Sequence, residues 1–70
     1  MDPYDVMYLT VLKKLVIYHN NNLVFEGTLN DIQKAKDVLM GLYDKDTLSL
    51  DNAYNSAYDK LEELERNGSM

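Results

Sequence analysis

The sequence predicts an α+β fold, an N-terminal β-hairpin packed on an antiparallel two-helix hairpin, and three observations carry that expectation. Apolar residues at Leu50, Tyr54, Ala57, Leu61 and Leu64 recur at four-three-four-three spacing, one stripe along a helix. Ile32, Ala35, Leu39 and Leu42 form an answering stripe in the run Thr28 to Tyr43. Ahead of both, two short β-rich runs flank three consecutive asparagines. Neither helix would persist alone in water, so each stripe needs the other or the hairpin to cover it.

Residues 1 to 14 admit two readings. Asp2-Pro3 followed by Asp5 is a helix-start pattern, an acid at the cap and proline in the first turn. The Val, Ile, Tyr and Thr content of Val6 to Tyr18 favours strand instead. Tyr4 to Leu12 therefore stands open between a third strand and a short helix. The apolar run from Val6 is too short to span a bilayer and is interrupted by Lys13 and Lys14, so it reads as core. The acidic start argues against a secretory signal.

Val16-Ile17-Tyr18-His19 and Leu23-Val24-Phe25-Glu26 read as strands about Asn20-Asn21-Asn22, since asparagine tolerates left-handed backbone. Gly27 lets the chain turn, and Thr28 caps the first helix with its hydroxyl facing the amide of Asp31. Gly41 weakens the far end, so fraying is expected between Met40 and Asp44. Asp44-Lys45-Asp46-Thr47 is the link, Thr47 or Ser49 caps the second helix, and Asn67-Gly68 ends it.

The hairpin from Ile17 to Thr28, of the form Ile-Tyr-x-Asn-Asn-x-Leu-Val-Phe-x-Gly-Thr, followed at once by an amphipathic helix, resembles small proteins of bacteriophages and mobile elements of AT-rich bacteria. The preference for Asn and Lys over Arg is similar to theirs. The matching residues are turn, strand end and cap, so the resemblance implies a setting rather than an activity. Small acidic proteins of that setting include inhibitors of host enzymes and of CRISPR effectors.

At seventy residues the chain makes one small domain, near the size at which a single core needs help. It has no cysteine, which removes disulfides and thiolate metal sites and fits a cytoplasmic setting. Its formal charge is −5, and the acids concentrate in the helical half: eight against four bases from residue 36 onward, four against three before it. Such a surface repels phosphates and anionic membranes, so neither nucleic acid nor membrane is an expected partner; a basic protein surface is.

Motifs for chemistry are missing. A calcium loop begun at Asp44 keeps Asp46 in third place but puts Leu48 fifth, Ser49 where glycine belongs, and Asn55 where a bidentate glutamate belongs. His19 is the one histidine and has no partner acid or nucleophile fixed by spacing, so it reads as a solvated turn residue. Glu62, Glu63 and Glu65 on a terminal helix lack the burial that raises a carboxyl pKa. No cofactor is called for, and the chain reads as non-enzymatic.

What remains is a surface. Tyr58, one position off the helical stripe, stands among acids, and tyrosine combines a large apolar area with a hydroxyl. The expected partner-binding set is Asp44, Asp46, Asp51, Tyr58, Asp59, Glu62, Glu63 and Glu65, the acids occupying a basic groove in place of phosphates. The alternative is a self-associating module in which the Leu50 to Leu64 stripe seats on a second copy as a homodimer. A DNA-reading helix is disfavoured, because the second helix offers Lys60 and Arg66 against five acids from Asp51 to Glu65.

Overall fold

A computed structural model describes residues 3–46 and 51–68. Three antiparallel strands, β1 (Tyr4–Leu9), β2 (Lys14–His19) and β3 (Asn22–Gly27), form a meander in sequence order with β2 in the middle. Two helices follow, α1 (Ile32–Lys45) and α2 (Asp51–Gly68). They run antiparallel, as the pairs Lys36–Glu65 and Tyr43–Asp51 show. The α+β arrangement expected from the sequence is the one found, with Tyr4 to Leu9 resolved as a third strand.

The strand wins at the N-terminus because β2 offers it a partner. Val6 pairs with Ile17 and Tyr8 with Leu15, so even positions of β1 and odd positions of β2 share one face. That face buries Tyr4, Val6, Leu15 and Ile17 against Ile32, Ala35 and Leu39 of α1 and Ala57 and Leu61 of α2. The apolar run is thus cut in two: the turn between β1 and β2 carries Val11 and Leu12 at 93% and 63% exposure, where the sequence placed them in the core. Lys13 makes that turn possible with a left-handed backbone, φ 56°.

The β2–β3 turn is tighter than three asparagines suggested. Asn20 and Asn21 alone form it, at φ 51° and 71°, and Asn22 already pairs with His19. Two successive left-handed residues are what a two-residue hairpin requires, because that turn follows the twist of the strands. The register then shifts between Ile17 and Tyr18, leaving Leu23 and Val24 together opposite Tyr18.

Thr28 caps a short 3-10 turn, Leu29–Asp31, that leads into α1. Its hydroxyl accepts from the Asn30 amide at 3.2 Å, while its own amide donates to Asp31 Oδ2 at 3.0 Å, a reciprocal capping box. Gly27 serves this box through space rather than turning: its φ is not positive, and a Cβ there would lie 2.7 Å from Asp31 Oδ2. Thr47, Ser49 and Leu50, expected to cap α2 and begin its stripe, lie outside the described residues.

α1 does not fray at Gly41; it runs to Lys45, where the Asp46 amide donates to the carbonyls of Leu42 and Tyr43. Nothing lies within 4 Å of where a Gly41 Cβ would stand. Gly41→Ala is therefore expected to raise stability by about 0.5–1 kcal/mol through helix propensity and a less entropic unfolded chain. Chemical denaturation would show it as a higher midpoint with an unchanged slope.

Candidate functional site

The residues singled out from sequence do not form one continuous acidic face. Asp46 sits at the end of α1, where the helix dipole disfavours an anion, and two groups from the sheet compensate. The Tyr4 hydroxyl donates to its carboxylate, and His19 Nε2 lies 3.4 Å from Oδ2. Tyr4 and His19 are cross-strand partners, so their rings stack with centroids 5.4 Å apart. His19 is thus half-buried between an aromatic ring and a carboxylate, not the solvated turn residue the sequence suggested. Burial, then the bond to Asp46, raises the Tyr4 hydroxyl well above its ordinary pKa.

Asp51 and Glu65 are also engaged within the chain. Asp51 accepts from the Tyr43 hydroxyl, whose pKa rises through that bond first. Glu65 meets Lys36 Nζ at 3.2 Å. Lys36 lies on the inner side of α1, one turn after Ile32, and is itself buried. Its stem packs in the core and its ammonium emerges at Glu65 and 5.4 Å from the centre of the Tyr58 ring. Glu65 accordingly raises the Lys36 pKa, with smaller support from Tyr58 and Glu62.

Tyr58 is half-buried against the core rather than standing free. It ends a run of aromatic contacts: Tyr43 stacks on Tyr54 at 4.3 Å, Tyr54 meets Tyr58 at 5.9 Å, and Tyr4 stands edge-on to Tyr54 at 6.4 Å. Four of the six tyrosines therefore bind the helices to β1. No spacing rule joins Tyr4 to Tyr54; the signal would have been the pairing of β1 with β2.

Asp44, Asp59 and Glu63 are exposed, as are Asp51 and Glu65 alongside their bonds within the chain, and Glu62 is half-buried. Between α1 and α2 a shallow groove of about 500 Å³ is lined by Met40, Tyr54, Asn55, Tyr58 and Asp59. Met40 is 46% exposed there, and Asp44 is near enough to raise the Tyr54 hydroxyl, itself lifted mainly by burial. A second hollow of about 400 Å³ runs along α2 past Ser56, Asp59, Lys60, Glu63 and Leu64. No helix is long and apolar enough to cross a membrane among the described residues. Nor does any group of three or more His, Asp or Glu side chains among them suit a metal ion. Comparison with protein-family models, with curated proteins and with solved structures finds no match for this chain.

Proposed function

We propose that the chain is a small non-catalytic binding protein that inhibits or modulates a larger partner by covering a basic surface, of the kind proteins that handle nucleic acid carry. The observation that supports it best is the interhelical groove, where exposed Met40 and half-buried Tyr58 make an apolar floor and Asp59 an acidic rim. Asp44, near Tyr54, and Glu63, which lines the second hollow together with Asp59, add exposed acids nearby, whereas Asp46, Asp51 and Glu65 bond within the chain. An apolar floor with acids around it suits a partner that offers a long side chain bearing a cation. An inhibitor of a host enzyme or CRISPR effector, encoded by a phage and acting in the host cytoplasm, is the setting in which we place it.

Asp59 and Glu63 are one helical turn apart, a like-charge spacing that costs a helix about 0.2–0.5 kcal/mol. Their removal should therefore leave the fold intact and harm binding. The test is a tagged pull-down from bacterial lysate at low and high salt, followed by titration of the recovered partner with Asp44→Asn, Asp59→Asn, Glu63→Gln combined. The expected result is a binding constant weakened at least tenfold, by about 1.4 kcal/mol or more, and a flattened salt dependence. Unchanged affinity through both salt and substitution would end the electrostatic reading.

A further inference from the structure

One face of the sheet packs on the helices; the other, the side of Asp5, Met7 and Leu9 on β1, carries no element of the fold among the described residues. We propose that this outer face is the contact between two copies of the chain, related by a two-fold axis lying between the sheets and across the strands. The alternation of the strands places Lys14, Val16 and Tyr18 of β2 on it, and the shifted register adds Leu23 and Val24 of β3. Val16 is already 4% exposed beneath its cross-strand neighbours Met7 and Glu26, so the centre is dry before any partner arrives. Leu9, Leu23 and Val24 are exposed around it, and the β1–β2 turn carries Val11 and Leu12 beyond one end.

Charge decides what covers the face. The chain is strongly acidic, yet here Lys13 and Lys14 balance Asp5 and Glu26, with Lys14 already 3.1 Å from Glu26. The acid excess belongs to the helical half, on the other side of the sheet. Two copies meeting face to face would thus hold their acidic sides apart. The balance is also ordered: Lys14 stands beside Leu9 at the turn end, and Asp5 beside Tyr18 at the opposite end. An axis along the strands would put lysine on lysine and aspartate on aspartate. An axis across them brings Lys14 of each copy to Asp5 of the other, and lays the Val11–Leu12 turn over the partner's Tyr18, Leu23 and Val24. The surface is complementary to itself in that one arrangement.

Sedimentation equilibrium from micromolar to millimolar protein tests the proposal. Expected is a monomer–dimer equilibrium, with a dissociation constant raised at least tenfold in Val11→Ser, Leu12→Ser. Both residues are exposed and outside the core, and circular dichroism should show the monomer still folded. Asp5→Lys and Lys14→Glu, each alone, should stay monomeric, whereas their equimolar mixture should form a heterodimer. A wild-type chain that remains monomeric throughout would overturn the proposal, leaving the face to a different occupant. So would a dimer indifferent to the turn substitutions, and failure of the mixture to associate would overturn the two-fold arrangement.

Discussion

Leu61→Ala is expected to remove about 3 kcal/mol of stability, the middle of the range for emptying a fully buried leucine site. Leu61 is 0% exposed and belongs to the cluster that joins α2 to the sheet and to α1. A chain of seventy residues holds about 5 kcal/mol in total, so the variant would retain less than half. Thermal unfolding by circular dichroism should place its midpoint on the order of 15 °C below that of the parent. A loss under about 1 kcal/mol would mean that α2 does not close the core, and the interhelical groove would lose its foundation.

Asp46→Ala is the second large effect, and it reaches three elements at once. Tyr4 is 3% exposed, so its hydroxyl loses its partner in a largely buried place when the carboxylate goes, and His19 loses its acid in the same step. An orphaned buried donor costs about 1–3 kcal/mol. The same contact gives the fold an alkaline limit. Tyr4 and Tyr54 are raised mainly by burial, Tyr43 by its bond to Asp51, and Lys36 by its bond to Glu65. In each the folded state holds the proton more tightly than the unfolded chain. Their stabilisation is therefore complete below the ordinary values near 10 and is lost as pH rises through the folded ones. Urea midpoints should hold steady to about pH 9 and fall beyond pH 10, with a shallower fall in Tyr4→Phe. An equally steep fall in that variant would remove Tyr4 as a contributor.

The parts of the fold legible in the sequence are those fixed by neighbours along the chain. Asn20-Asn21 supplies two left-handed positions, Thr28 and Asp31 cap each other, and Ile32, Ala35 and Leu39 repeat with the helix. What resisted reading depends on residues far apart in number. Tyr4 to Leu9 carries both helix-start and strand signals, and pairing with β2 decides between them. Asp46 and Glu65 looked like free surface acids because their partners, Tyr4 and Lys36, lie 42 and 29 positions away. Lys36 falls on the buried side of α1 at a spacing that polarity alone assigns to solvent; a long stem and a nearby carboxylate reconcile the two. Of the candidate site, the acids and Tyr58 were legible as residue types. Which of the acids bond within the chain was not.

The order of elements also governs how the chain reaches this state. β1 meets β2 across a short turn, β2 meets β3 across two residues, and α1 meets α2 across a short link, so each pairs with its chain neighbour. Closing such short loops is fast. A long closure remains: α2 must come back onto β1, sealed by Leu61 and the Tyr4–Tyr54 contact. Undoing that docking exposes the meander and the helical hairpin together. Read by stopped flow, the Leu61→Ala loss should appear mainly as faster unfolding, because a contact made last is absent from the transition state.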